Sequence, residues 1–150
     1  MILGIRNSGM AWATGNTGSL TYYNISDHGR KSISMTPKRI ENSLRTVDGT
    51  LRRQVIATKY TYGTSWENLP SVASKTVDGY YSGYQIKNFF ETTTSPFSIK
   101  FYVGNSDATS TVLTDTITKI VMFNSFSYEV VGRSQSGIDL VNISLELEEV

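Results

Sequence analysis

The residues of this chain able to act as acids, bases or ligands are few and scattered. One histidine, His28, lies between Asp27 and Gly29, and there is no cysteine among the 150 residues. A catalytic histidine needs a nucleophile within hydrogen-bond reach, whereas Asp-His-Gly reads as a turn in which an exposed histidine is ordinary. Without cysteine, neither a disulfide framework nor a thiolate metal site can form. Only an all-oxygen calcium or magnesium site stays open, and the D-x-[DN]-x-[DN]-G loop that builds one is absent. Asp48-Gly49 looks like a fragment of such a loop, but a turn accounts for both residues without a metal. No G-x-x-x-x-G-K-[ST] cradle occurs, Gly15 and Gly18 lie far from any following helix, and the G-x-S-x-G elbow is missing. Glu146 and Glu148, two apart on a strand and so on one face, have the spacing of paired carboxylates. Outward positions on a solvated strand explain them more cheaply. The expectation is a protein that is not an enzyme and carries no cofactor or metal.

The stronger chemical signal is charge. Between Arg30 and Tyr60 stand Arg30, Lys31, Lys38, Arg39, Arg45, Arg52, Arg53 and Lys59 against only Glu41 and Asp48, a surplus of six. From Ile120 to Val150 the sign reverses: Glu129, Asp139, Glu146, Glu148 and Glu149 face Arg133, leaving −4. The total is only +1 with a pI near 7.9, which does not mark the whole chain as a nucleic-acid or membrane-surface binder. Arg52 and Arg53 with Tyr60 and Tyr62 have the types to grip phosphates and stack bases. The acidic final third opposes a polyanion, and the two charged regions complement one another, which suits pairing between copies.

The basic residues lie on an expected extended hairpin over 32–66. Its turn is read from Val47, Asp48, Gly49 and Thr50, because Asp-Gly between β-branched residues suits a primed turn with positive φ at both central positions. On the returning arm Ile56, Tyr60, Tyr62 and Trp66 share one parity, with Arg53, Lys59 and Thr61 on the other. Pro37 marks an edge strand or a bulge, and Leu69-Pro70 a stop.

Around the hairpin, residues 1–30 read as an arm or loop rich in Gly, Ser, Thr and Asn, with Trp12, Tyr22 and Tyr23 as anchors. Met1 to Met10 lacks the apolar core of a signal peptide, and no stretch approaches the roughly 20 apolar residues of a membrane span. The expectation is therefore a soluble product of a cytoplasm. A helix is expected over Tyr80–Glu91 within a helix region at 76–91, capped by Thr76 or Asp78, with Ser82, Ile86, Phe89 and Phe90 in a stripe beside Tyr81 and Tyr84. A strand follows from Phe97 to Val103, then a polar loop from Gly104 to Thr111. A second hairpin over 117–150 turns at Gly132–Gly137 and ends with Val141, Ile143, Leu145 and Leu147 inward. The whole reads as one mainly β domain over 1–150 with one α-helix, an antiparallel β sandwich or barrel with long β hairpins.

Five blocks, I-E-N-S-L-R-T-V-D-G-T-L-R-R (Ile40 to Arg53), S-W-E-N-L-P (Ser65 to Pro70), T-V-D-G (Thr76 to Gly79), P-F-S-I-K-F (Pro96 to Phe101) and V-N-I-S-L-E-L-E-E-V (Val141 to Val150), together resemble the small tail tube, or major tail, proteins of long-tailed bacteriophages. The resemblance runs from about Thr36 onward. It implies a phage tail-tube-like fold and a virion subunit, made in a host cytoplasm, that forms a homo-oligomeric, hexameric ring and then stacked rings. These would contact other tail proteins and pass DNA as non-specific cargo. A tube-like distal tail, baseplate or tail-terminator ring is the related alternative; a carbohydrate- or capsid-binding module using Trp12, Tyr22 and Tyr23 is one of another class. On the tube reading Lys38, Arg39, Arg45, Asp48, Gly49, Arg52 and Arg53 belong to an inter-subunit interface. Ser144, Glu146, Glu148 and Glu129, with Ser125 and Ser127, are lumen candidates.

Overall fold

The structure, a computed structural model, describes residues 9–103 and 115–150. Most of the Met1–Met10 stretch and the polar loop expected at Gly104–Thr111 therefore lie outside the described residues. The strands are β1 (Met10–Trp12), β2 (Tyr23–Ile25), β3 (Ser34–Arg45), β4 (Leu51–Pro70), β5 (Phe97–Val103), β6 (Asp115–Arg133) and β7 (Asp139–Glu149). One helix, α1 (Gly83–Thr92), and a 3-10 turn at Ala73–Lys75 separate β4 from β5. All seven strands form a single antiparallel sheet in the order β2-β1-β5-β6-β7-β4-β3. The chain is mainly β with one helix, as its alternation predicts, and its strands share one sheet, consistent with the expected β sandwich or barrel.

That sheet is strongly curled. β4 and β5 stand three places apart, about 14 Å in a flat sheet, yet the rings of Tyr62 and Phe101 lie 4.7 Å apart across the concave face. Beyond β2, the Trp66 indole of β4 donates to the Ser26 carbonyl at 2.8 Å, so the two ends of the sheet approach. Inside sit Phe97, Ile99 and Phe101 of β5 and Val141, Ile143, Leu145 and Leu147 of β7, all buried; on β7 they alternate with Asn142, Ser144, Glu146 and Glu148 facing outward, and on β5 the alternate Ser98 is buried under Tyr22. The helix closes the concave side. Phe89 stacks on Trp12 at 4.1 Å and 9°, Phe90 stacks on Phe126 at 4.4 Å, and Ile86 is fully buried.

Helix α1 starts three residues later than its periodicity suggests. Its N-cap is Ser82, whose backbone N–H is taken by the Gln85 side chain at 3.0 Å, and neither Thr76 nor Asp78 serves. Gly83, which reads in sequence as a weak point, is required: a Cβ there would run into Val141. Tyr84 is exposed and does not join the apolar stripe.

The turn of the first hairpin also departs from expectation. Only Gly49 has positive φ, at 85°, so Asp48 is not left-handed. The Gly49 N–H donates to Thr46 O and the Thr46 N–H to Thr50 O, both at 2.9 Å: a turn closed by a single left-handed residue. Four register shifts interrupt the long ladders: between Ile40 and Glu41, Trp66 and Leu69, Phe123 and Ser125, and Val130 and Gly132. Each reverses the inside-outside parity of the strand that carries the extra residue. Thus Phe123 and Phe126, of opposite parity, both pack inward.

A cationic ribbon as the candidate interaction site

β7 pairs with β4 only from Thr61 to Pro70, and β3 is the edge of the sheet. From Lys38 to Arg45 and from Leu51 to Lys59 the hairpin therefore runs on as a two-stranded ribbon with no third strand among the described residues, about 25 Å long at the usual rise per residue. Tyr60 donates its N–H to the Glu149 carboxylate at 2.9 Å, so that N–H points away from β3. Pro37, directly opposite in the register, then faces the open edge, where its missing donor costs no ladder bond.

Register places the ribbon's side chains. Lys38, Ile40, Asn42 and Leu44 share one face with Lys59, Ala57, Gln54 and Arg52; Arg39, Glu41, Ser43 and Arg45 share the other with Thr58, Val55, Arg53 and Leu51. Ile56 is the extra residue of the bulge and is 61% exposed, whereas simple alternation puts it with the buried Tyr62 and Trp66. Leu44 is 69% exposed, and Ile40, Leu51 and Val55 are also exposed. Neither face of the ribbon is covered by the other described residues.

The seven expected interface residues all lie on this ribbon or its tip. Arg53 pairs with Glu41 at 3.3 Å, and Arg45 donates to Gly49 O at 3.0 Å. Lys38, Arg39 and Arg52 make no ion pair among the described residues. Asp48 and Gly49 have local duties: the Asp48 carboxylate accepts from the Thr46 hydroxyl and from the Thr50 N–H at 3.2 Å. Those bonds, the Thr46 hydroxyl first, hold its carboxyl below the ordinary 3.8. A base-stacking role for Tyr60 and Tyr62 does not survive, because Tyr62 is buried and Tyr60 is half-buried against it, rings 6.0 Å apart.

The four lumen candidates share the convex face of the sheet, opposite α1. Glu129 stands across from Asn142, Ser127 from Ser144, Ser125 from Glu146, and Met122 from Glu148. Ser65 of β4 continues the Ser127–Ser144 row. Two shallow depressions of about 240 and 310 Å³ lie along this polar face. Of the acidic residues in the final third, Asp139 is spent on Arg133 at 2.8 Å and Glu149 on Tyr60 and Lys119. Glu129, Glu146 and Glu148 are left outward, with Glu146 accepting from Asn124 at 2.6 Å.

The other candidates prove structural. His28 accepts the Val77 N–H on Nδ1 at 3.2 Å, while its own N–H goes to the Ser26 hydroxyl at 3.0 Å. Burial pushes the neighbouring Asp27 carboxyl above 3.8, against the pull of Arg30 at 2.8 Å and of the Gly9 N–H. Trp12 is fully buried beside Phe89 and Phe97 and so belongs to no exposed aromatic surface, Tyr22 bonds Ser98 at 2.7 Å under the Lys100 ammonium, and Tyr23 is exposed and stacks on Tyr81 at 5.5 Å. Among the described residues no group of three or more His, Asp or Glu is placed to hold a metal, and no helix is long and apolar enough to cross a membrane. What sequence reading missed is the clasp of Glu149 at the ribbon's root; the only signal for it was an acidic residue at the end of an alternating strand.

Neither a protein-family model nor a curated protein sequence matches this chain. A solved structure described as the tail of an empty GTA particle, computed with helical refinement and C6 symmetry, aligns with 89% of this chain and 84% of that chain. The TM-score is 0.49 at 10% sequence identity. The functional reading rests on the residues.

Proposed function

We propose that this chain is a non-enzymatic structural subunit of a bacteriophage tail, assembling through its cationic ribbon into hexameric rings that stack as a tube and conduct DNA. The observation that carries the assembly reading is the ribbon itself. A two-stranded hairpin is marginal on its own in water, and this one leaves Ile40, Leu44, Leu51, Val55 and Ile56 exposed together with six cationic side chains against two anionic ones between residues 38 and 59. Such a projection gains its third layer from a neighbour. The block resemblance to tail tube proteins supplies the kind of assembly.

Charge complementarity gives the contact its register. Lys38, Arg39, Arg45, Arg52 and Arg53 present positive charge; head-to-tail rings need two unlike surfaces that fit one another, and an acidic surface of the next copy is the complement. The convex row of Ser144, Glu146, Glu148 and Glu129 suits the lumen, since small hydroxyls and weak negative charge let a polyanion pass without phosphate contacts that would hold it.

Arg52→Glu with Arg53→Glu tests this reading. Purified wild-type protein at high concentration, followed by sedimentation and negative-stain microscopy, is expected to form rings or tubes. The double variant is expected to keep the wild-type circular dichroism and unfolding transition and to remain monomeric. Wild-type protein that stays monomeric at every salt and protein concentration, or a double variant that polymerises normally, removes the reading.

A further inference from the structure

At the root of the ribbon, where β7 ends and β4 runs on beside β3 only, four side chains and four backbone groups converge. Glu149, whose side chain is 12% exposed, accepts the Tyr60 N–H on Oε2 at 2.9 Å and meets the Lys119 ammonium at 3.5 Å on Oε1. The same ammonium sits 5.6 Å from the centre of the Tyr60 ring. Lys59 donates to the Val150 carbonyl at 2.8 Å, and the Val150 N–H donates to Ile120 O at 3.0 Å. Thus β6 holds Val150, Val150 holds Lys59, and Glu149 ties the backbone of β4 to Lys119 of β6.

Without this set, the first residues of the ribbon beyond Thr61 would bond only to β3. A two-stranded ribbon twists and swings more freely than a sheet of three. Glu149 stands where the next ladder bond of β7 would be, and its side chain substitutes for the missing strand.

We infer that Glu149 is a positioning residue that sets the exit angle of the ribbon, presenting it preformed to the second copy. The inference deepens the assembly reading and rests on it. A preformed ribbon has less ordering cost at the moment of docking than a free one, so the clasp controls how readily assembly proceeds as well as where the ribbon points.

The chain has no cysteine, so Val47→Cys at the exposed tip and Asn88→Cys on the exposed side of α1 carry a unique pair of spin labels, and their distance distribution reads the ribbon angle in the monomer. With Glu149 present a single narrow peak is expected. Glu149→Ala is expected to lose that peak to a broad distribution and to slow assembly, while Glu149→Gln, whose amide oxygen still accepts the Tyr60 N–H, keeps both. Lys59→Met, which removes the Val150 contact without touching Glu149, is expected to broaden the distribution too and serves if Glu149→Ala does not fold. A narrow peak in both Glu149→Ala and Lys59→Met overturns the inference, and so does equal broadening in Glu149→Gln. Failure of wild-type protein to assemble counts against the assembly reading alone, because the distances are measured on monomers.

Discussion

The tetrapeptide Thr-Val-Asp-Gly occurs at residues 46–49, at the tip of the ribbon, and again at 76–79, in the loop ahead of α1. Both copies end in a left-handed glycine, with φ of 85° at Gly49 and 71° at Gly79, and in both the aspartate accepts the backbone N–H two residues on, at 3.2 Å. There the likeness stops. Asp48 spends its remaining capacity on Thr46, inside its own turn. Asp78 reaches across the molecule to the Ser26 hydroxyl and the Asp27 N–H, each at 2.9 Å, and pins the segment after β2 to the loop before the helix. The local sequence dictates the shape of the turn; what lies beside it decides whether the turn is a free tip or a clasp.

The same contrast runs along β4, whose second half is core and whose first half is ribbon, and it can be broken most forcefully there. Trp66→Ala, removing a buried ring that also donates to Ser26 O, is expected to cost about 3–5 kcal/mol in denaturant unfolding. Ile56→Ala, ten residues earlier, should stay within about 0.5 kcal/mol. Equal costs would mean the ribbon is part of the core. Next, Asp78→Ala leaves the Ser26 hydroxyl and the Asp27 amide without their acceptor and is expected to cost about 1–3 kcal/mol. Asp48→Ala should cost clearly less, because its donors turn to water; similar losses would erase the distinction between clasp and tip.

A smaller effect separates the halves by pH. Burial, with Glu149 and Tyr60 adding to it, pushes the Tyr62 hydroxyl up from 10 to about 12. The folded state holds that proton more tightly than the unfolded chain, so the stability it contributes is full below pH 10 and is lost as pH rises through 12. The unfolding midpoint should fall over that window, and Tyr62→Phe should remove that part of the fall. Also small on stability is the Arg52→Glu, Arg53→Glu pair, which loses the exposed Arg53–Glu41 contact and whose main expected consequence is for assembly.

Much of the fold is legible from spacing. The alternation of Phe97, Ile99 and Phe101, and of Val141 through Leu147, identifies strands and their inward faces because side chains on a pleated strand alternate strictly. The helical stripe at Ile86, Phe89 and Phe90 is legible for the same kind of reason. The candidate site is legible as a string of charge on a hairpin, since like charges in that density are not buried. The faces of that hairpin are not legible, because one extra residue, Ile56, moves Arg53 to the side of Tyr60 and Tyr62. A change of parity from Val121 and Phe123 to Phe126 and Tyr128 was the visible trace of the equivalent shift in β6.

By itself the sequence determined the strands from the first hairpin onward and the helical stripe, though it read the segment that holds β1 and β2 as an arm or loop; it also determined that a glycine ends the first hairpin turn and that one hairpin carries the positive charge. Those properties follow from interactions within a few residues: side-chain period, backbone sterics and local charge. Only the tertiary structure decided that the strands join one curled sheet, that Trp12 is core, that Gly83 must lack a side chain beside Val141, and that β7 pairs with β4 only from Thr61 onward, so that the first half of β4 has β3 alone beside it. Each of these depends on which surfaces meet across long separations in the chain, and burial or exposure is settled by that meeting and by no residue's own preference.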